Sequence, residues 1–107
     1  RSNYKATVIS VENFRKDFPD SKLNEELSYL QILAQQELSD VSYFIKQRER
    51  YTEAINLHEK FIDKYPDSKY LKELDKIYEK SLKGLEKVAK TEKEIEEAKK
   101  LAEKEKS

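Results

Sequence analysis

The 107 residues of this chain suffice for about one domain, near the lower size at which a single hydrophobic core supports itself. Hydrophobic residues make up 36% of the sequence and charged residues 41%, a ratio that favours stacked helices over a compact globule. The 22 Lys and Arg balance the 22 Asp and Glu, which argues against nucleic acid as a partner, and the absence of cysteine excludes disulfides and thiolate metal sites.

The first predicted helix begins near Tyr4 and ends at the phrase FPDS, residues 18–21. A residue before proline is pushed toward extended conformations, and Asp20 or Ser21 can then cap the next helix by accepting backbone N–H bonds. The phrase returns as YPDS at residues 65–68, where Asp67 or Ser68 can cap in the same way. Residues 4–27 align with residues 51–74 at an offset of 47, with nine identities, so the chain contains two copies of a helix–turn–helix unit.

The second predicted helix carries an apolar stripe that continues for roughly five turns. We expect this stripe to be its buried face: Leu23, Leu27, Leu30, Ala34, Leu38 and Val41. A polar break follows at residues 39–42. The offset of 47 exceeds the roughly 34 residues of a plain helical repeat, so about 13 residues are inserted, and we expect them both to lengthen a helix and to form a loop around residues 39–50.

The third predicted helix opens the second copy with an apolar face at spacings of three and four. We assign as structural repeat positions Tyr51, Ala54, Phe61 and Pro66, together with Phe14 and Pro19 of the first copy. His58, the single histidine, lies on this apolar face. Because metal sites need several converging ligands, we interpret it as a packed side chain, and we predict no catalytic, cofactor-binding or metal-binding residue.

The last predicted helix carries a stripe of apolar residues: Leu71, Leu74, Tyr78, Leu82, Leu85 and Val88. Gly84 within it should cost about 1 kcal/mol relative to alanine. Residues 90–107 hold six lysines and six glutamates, and their heptad positions are too weakly apolar for a dimer seam, which favours a single fraying helix. We therefore divide the chain into repeats at 1–88 and a charged helical extension at 89–107, whose Ile95, Ala98 and Leu101 can still pack on a neighbour.

The second copy resembles the tetratricopeptide repeat, with Ala54 and Phe61 seven apart and Pro66 where that repeat closes. More narrowly, residues 50–73 (RYTEAINLHEKFIDKYPDSKYLKE) resemble the BamD family of outer-membrane assembly lipoproteins, also called YfiO or ComL. The earlier FPDSK and the long insertion also fit that family. The first copy departs from the pattern, since Thr7 stands where Ala54 stands in the second.

The resemblance implies an all-α fold of tetratricopeptide-like antiparallel helix hairpins, a right-handed α-solenoid fragment with a long C-terminal helix. It implies a protein–protein interaction scaffold and no enzyme: the non-lipidated C-terminal fragment of a BamD-like component of the outer-membrane β-barrel protein assembly machinery, at the periplasmic face of the bacterial outer membrane. The partners it implies are the barrel assembly protein and accessory lipoproteins, with no cofactor, nucleic acid or small-molecule substrate, and with membrane contact only through a lipid anchor outside these residues.

Two other functions remain open: a generic repeat adaptor that binds peptides or partner proteins, and the docking region of a larger envelope protein. Tyrosines and phenylalanines off the main stripes are the candidates for partner contact, because aromatic residues are enriched at interfaces. They are Tyr29, Tyr43, Phe44 and Tyr70. The chain begins in helical pattern without methionine, so we expect further repeats upstream, and we expect self-association through an apolar face around Val8, Val11 and Phe14.

Overall fold

Four α-helices make up the computed structural model, which describes residues 3–106. They are α1 (Tyr4–Asp17), α2 (Asn24–Asp40), α3 (Phe44–Lys64) and α4 (Leu71–Lys106). α1 packs on α2, α2 on α3 and α4, and α3 on α4, which gives two consecutive helix hairpins. The predicted all-helical, tetratricopeptide-like fold with a long C-terminal helix is confirmed. Residues 1, 2 and 107 of the predicted two-part division lie outside the described residues.

The two proline phrases end α1 and α3 as predicted, because the chain leaves the helix before Pro19 and Pro66. The helix caps differ from those predicted. Ser21 Oγ accepts the backbone N–H of Leu23 at 3.1 Å, and Ser68 Oγ makes the equivalent bond at 3.1 Å, but each following helix begins three residues after its serine. The serine hydroxyls therefore hold the turns, and neither serine is the N-cap residue itself.

Of the predicted stripe on α2, Ala34 is buried, Leu27 and Leu38 are half-buried, and the other three residues are exposed. Leu23 is 56% exposed and Val41 69% exposed, and Leu30 is also exposed. The buried set is mostly polar: Asn24, Ser28, Gln31, Ile32, Ala34, Gln35, Gln36 and Ser39. The physical reason is that α2 contacts all three other helices, and most of its inner polar groups find hydrogen-bond partners on α1, on α3, in the preceding turn or within α2 itself.

The inserted residues lengthen helices almost entirely. Only residues 41–43 separate α2 from α3, and α3 begins at Phe44, about two turns before Tyr51. The side-chain amide of Gln47 donates to the carbonyl of Ser39 at 3.0 Å and so ties the added turns of α3 to the end of α2. The expected loop is therefore limited to three residues.

The hydrophobic core lies between α2, α3 and α4. Its buried cluster consists of Ile32, Leu57, Phe61, Leu74 and Ile77. The repeat positions Tyr51, Ala54 and Phe61 of the second copy are all buried, whereas Phe14 of the first copy is only half-buried. Pro19 and Pro66 lie exposed in their turns. The second copy therefore holds most of the packing, although the two copies match closely in sequence.

Gly84 has a packing role that its helix propensity does not reveal. The ring of Tyr51 on α3 lies directly over it, and a Cβ added at Gly84 would fall 2.3 Å from Cζ of that ring. The Tyr51 hydroxyl, held in this position, donates to the carboxylate of Asp40. Burial together with this bond raises the pKa of Tyr51. The glycine thus allows α3 and α4 to approach closely.

The residues expected to form an exposed apolar end face instead pack against α2. Val11 is buried, and Val8 and Phe14 are half-buried. The expected exposure of these three residues is therefore wrong, because α2 already covers that side of α1. Self-association of the chain stays a prediction.

A different apolar surface is exposed at the first hairpin, and the internal repeat explains it. Its large members are Phe18, Leu23 and Leu30. At the offset of 47 they correspond to Tyr65, Tyr70 and Ile77, which pack in or against the core cluster that includes Ile32 of α2. The face that the second hairpin packs on α2 is therefore exposed in the first hairpin. No helix within the described residues covers it there.

The opposite side of the stack is charged. α2 packs Tyr29 and Ile32 against the second hairpin. At the same offset α4 carries Lys76 and Glu79, both exposed. A polar outer face is typical of the terminal unit of a repeat array, so α4 closes the stack on its side.

Candidate protein-docking surfaces

A groove runs between α1 and α3 with α2 as its floor. Within residues 3–106, no Cα atom of α1 comes within 8 Å of one in α3. Three adjoining depressions of about 190, 430 and 440 Å³ share residues along this line. Lys5 and Arg50 line one end, and Arg15 and Lys60 line the other. We call this feature the α1–α3 groove.

The floor of the α1–α3 groove is built from buried amides of α2. Gln31 Nε2 donates to the carbonyl of Val8 at 3.2 Å and to Glu12 Oε1 at 3.1 Å, which ties α2 to α1. Gln35 Nε2 donates to the carbonyl of Arg50 at 3.0 Å, which ties α2 to α3. Gln31 Oε1 is buried and accepts no hydrogen bond from the described residues. The floor therefore holds the two walls apart and keeps one acceptor unused.

An ion pair stands over this floor on the α1 wall. Arg15 lies 2.6 Å from Glu12 Oε1 and also donates to the hydroxyl of Ser28 at 2.7 Å. The hydrogen bond from Gln31, together with the charge of Arg15, lowers the pKa of Glu12 below its ordinary value. Glu12 thus stays ionised, and the polar groups of this wall are fixed before any partner arrives.

Charge is unevenly distributed along the groove. At the end near the two proline turns the lining includes Arg15, Lys60 and Lys64. At the other end Glu49 and Glu53 alternate with basic residues. A partner that lies in the groove would therefore meet positive charge at the turn end and mixed charge at the far end, which fixes its direction.

Tyr29 and Tyr70, two of the candidate contact residues, lie together outside the groove. Their rings stack with centroids 4.5 Å apart and an interplanar angle of 10°, and Lys69 Nζ lies 5.4 Å from the Tyr70 ring. Both rings are half-buried against the core cluster. This pair packs α2 on the segment before α4 and leaves its outer edges accessible.

Tyr43, the third candidate, precedes α3, and Phe44, the fourth, is the first residue of that helix. Tyr43 is 86% exposed, and Phe44 lines a cleft of about 280 Å³ with Val88 and Thr91 of α4. Tyr29 lies about three turns before Asp40, the last residue of α2, which corresponds to about 16 Å along that helix, and Tyr43 lies beyond its end. The structure thus brings the four aromatic candidates together as two separate pairs, and neither pair belongs to the α1–α3 groove.

His58 is packed between α3 and α4. Its ring stacks on Tyr78 with centroids 4.7 Å apart, and its buried Nε2 has no hydrogen bond and lies 3.9 Å from Asp75 Oδ1. Burial lowers the pKa of His58, while the charges of Asp75 and Glu59 act in the opposite direction. The histidine lies outside the groove.

We expect His58 to make the fold weaker in mild acid. An unfolded histidine takes up a proton near pH 6.5, whereas the folded one does so only at lower pH. This contribution to stability is therefore complete above about pH 6.5 and is lost as the pH falls toward the lowered pKa. Urea unfolding of the wild type and of His58→Gln across this range isolates the effect: the variant should show a shallower loss of stability. Equal pH slopes for both proteins would contradict the account.

The groove floor was missed by reasoning from the sequence, although a signal was present. Ser28, Gln31, Gln35 and Ser39 recur at spacings of three and four, which marks one polar face of α2. The apolar spacing instead predicted that the leucines of α2 form its buried face. A polar stripe on a helix that lies between other helices predicts an interface held by hydrogen bonds.

Comparison with known families agrees with this architecture. The family described as YfiO, outer membrane lipoprotein, matches residues 1–104. The chain belongs to this YfiO family. The match confirms the resemblance carried by the YPDSK and FPDSK phrases, and it includes both hairpins, the α1–α3 groove and nearly all of α4. No curated protein is a significant match to the chain.

Membership of the YfiO family associates the chain with the outer membrane. None of the helices within residues 3–106 is long and apolar enough to cross a bilayer. The same residues contain no group of three His, Asp or Glu side chains placed to hold a metal ion.

Proposed function

We propose that this chain is a protein-binding scaffold, the non-lipidated C-terminal part of a BamD-like component of the outer-membrane β-barrel protein assembly machinery. The observation that carries the proposal is the α1–α3 groove with its buried amide floor, in a chain of an outer membrane lipoprotein family. Its partners would be the barrel assembly protein and accessory lipoproteins. It would act at the periplasmic face of the outer membrane.

The construction of the groove supports binding. Gln31 and Gln35 hold α1 and α3 at a fixed separation, and Arg15 is held by Glu12 and Ser28. A surface fixed in this way loses little conformational entropy when a partner docks.

The chemistry of the groove also favours binding over catalysis. Its titratable groups are lysines, arginines and carboxylates along open walls, and the single histidine is packed between α3 and α4. A general base works best with a pKa near neutrality, whereas the pKa of Glu12 is moved further down. We therefore propose that the protein is not an enzyme.

Co-purification from the protein's own cells tests the proposed function. Full-length tagged protein is isolated gently and its companions are identified by mass spectrometry. We expect an outer-membrane barrel protein and envelope lipoproteins in the purified material, and we expect them to be lost when residues 1–88 are deleted. Recovery of cytosolic proteins alone, or of a catalytic activity that follows the purified protein, would overturn the proposal.

A further inference from the structure

The last part of α4 extends beyond the helix that packs beside it. α3 begins at Phe44, which shares a cleft with Val88 and Thr91, and Arg48 near the start of α3 pairs with Glu92. After Glu92, residues 93–106 continue as helix for about 20 Å. We call these residues the overhang.

The overhang continues the seam by which α4 packs on the rest of the protein. The buried residues of α4 are Leu74, Ile77, Ser81 and Val88, and Gly84 under Tyr51 lies on the same line. Their alternating spacing of three and four continues through Thr91, Ile95, Ala98 and Ala102. Thr91 is half-buried, Ile95 is 42% exposed and the two alanines are exposed. The same face of α4 is therefore buried in the first part of the helix and exposed in the overhang.

An exposed apolar tip lies at the turn between α2 and α3, on both sides of Phe44, which lines a cleft with Val88 and Thr91 of α4. It consists of Val41, Tyr43 and Ile45, which are 69%, 86% and 83% exposed.

Hydrogen bonds fix the short segment that carries this tip. Arg50 donates to the hydroxyl of Ser42 at 2.7 Å, and that hydroxyl donates to the carbonyl of Leu38 at 2.5 Å. Gln36 donates to Asp40 at 2.6 Å. Large exposed apolar side chains on a hydrogen-bonded segment are typical of a binding surface, because such a segment loses little conformational entropy when a partner docks.

We propose that the overhang and the tip together bind an amphipathic α-helix of a partner protein, laid along the seam of α4 with one end against the tip. This inference rests on the proposed scaffold function and adds a second docking surface, separate from the α1–α3 groove. Its main support is the continuity of the seam with the packing of α4 on α2 and α3.

The side chains of the overhang define the partner helix. Ala98 and Ala102 are small and allow close approach, so the partner supplies the larger apolar residues. Charged residues lie along the edges of the seam: Glu94 in the first half of the overhang, and Lys99 and Lys106 in its second half. The partner helix therefore carries a basic residue beside Glu94 and acidic residues beside the lysines, over about four turns.

Two other occupants fit less well. A lipid surface fits less well because the seam of the overhang carries one large apolar residue, Ile95, beside small alanines and so offers little apolar area to bury. Two overhangs of the same chain would place small side chains against small ones and bury little apolar surface.

Photo-crosslinking in the full-length protein within its own cells tests this inference. A benzophenone amino acid is placed in turn at Tyr43, Ile95, Ala98 and Ala102, and at Lys93 and Lys100 on the opposite face of the helix. We expect the four seam and tip positions to crosslink to the same protein and the two lysine positions not to do so. Crosslinks at all six positions, at none, or to a second copy of the chain would overturn it.

A charge substitution then separates this surface from the groove. Ala98→Glu should lower recovery of the crosslinked protein by about tenfold, because a charge enters an apolar contact, whereas Lys100→Glu should leave recovery unchanged. Equal recovery with both variants would overturn the inference. Groove partners that persist in Ala98→Glu would leave the proposed scaffold function standing.

Discussion

Phe61→Ala should lower the free energy of unfolding by about 3–5 kcal/mol. The ring of Phe61 is 3% exposed and packs in the cluster of Ile32, Leu57, Leu74 and Ile77, so its removal leaves a cavity that these residues cannot fill. Because small all-helical domains have only about 5–15 kcal/mol of stability, the variant should unfold at a much lower urea concentration.

The internal repeat provides the matched control. Phe14 occupies the same repeat position as Phe61, but it is half-buried, and its ring contacts the exposed Phe18 with centroids 4.9 Å apart. Phe14→Ala should therefore cost less than about 2 kcal/mol. Urea titrations followed by circular dichroism give both values. Equal destabilisation by the two substitutions would contradict the conclusion that the core belongs to the second copy.

Gly84→Ala should destabilise the protein by about 1–3 kcal/mol. Helix propensity predicts the opposite sign, a gain of about 1 kcal/mol for alanine in a helix interior. The packing dominates because the new Cβ would lie 2.3 Å from Cζ of Tyr51 and 2.6 Å from its two Cε atoms, so the ring or α4 must move. Movement of the ring also weakens the hydrogen bond from the tyrosine hydroxyl to Asp40.

A double-mutant cycle assigns this effect to the ring. In a Tyr51→Ala background, where the ring is absent, Gly84→Ala should become neutral or stabilising. Glu86→Ala, at an exposed position two residues along α4, controls for general effects of alanine and should change stability little. If Gly84→Ala remained equally destabilising without the Tyr51 ring, close approach of the ring would not be its cause.

The predictable parts of the fold are those set by local chemistry. Pro19 and Pro66 restrict the backbone of the residue before them, so the ends of α1 and α3 follow from sequence. The spacing of Tyr51, Ala54 and Phe61 marks one face of α3, and those residues are buried because the second hairpin packs on that face. The repeated phrase also identified the family that the match over residues 1–104 confirms.

The remaining features depend on contacts between distant residues. Whether α2 buries leucines or glutamines is decided by the carbonyls of Val8 and Arg50, which accept bonds from Gln31 and Gln35. The groove exists because α1 and α3, far apart in sequence, lie on the same floor without touching. The spacing within α2 marks a polar face but does not identify the carbonyls that this face binds, and the role of Gly84 is likewise visible only with Tyr51 in place.

The two ends of the helical stack differ in polarity. The first hairpin exposes the apolar residues Phe18, Leu23 and Leu30 at positions that are covered in the second. α4 instead presents charged residues on the corresponding outer face. Further helical units can therefore pack on the first hairpin, whereas the α4 side is left for the overhang and its proposed partner helix.

The central claim is that the α1–α3 groove is where partner proteins dock, and one pair of matched substitutions tests it most directly. Lys60 lines the groove, and Lys80 is exposed on α4 outside it. Each is changed to glutamate in the full-length tagged protein, and the envelope proteins that co-purify are quantified by mass spectrometry. We predict about tenfold less partner with Lys60→Glu and no change with Lys80→Glu. Equal recovery with the two variants would show that partners do not use the groove.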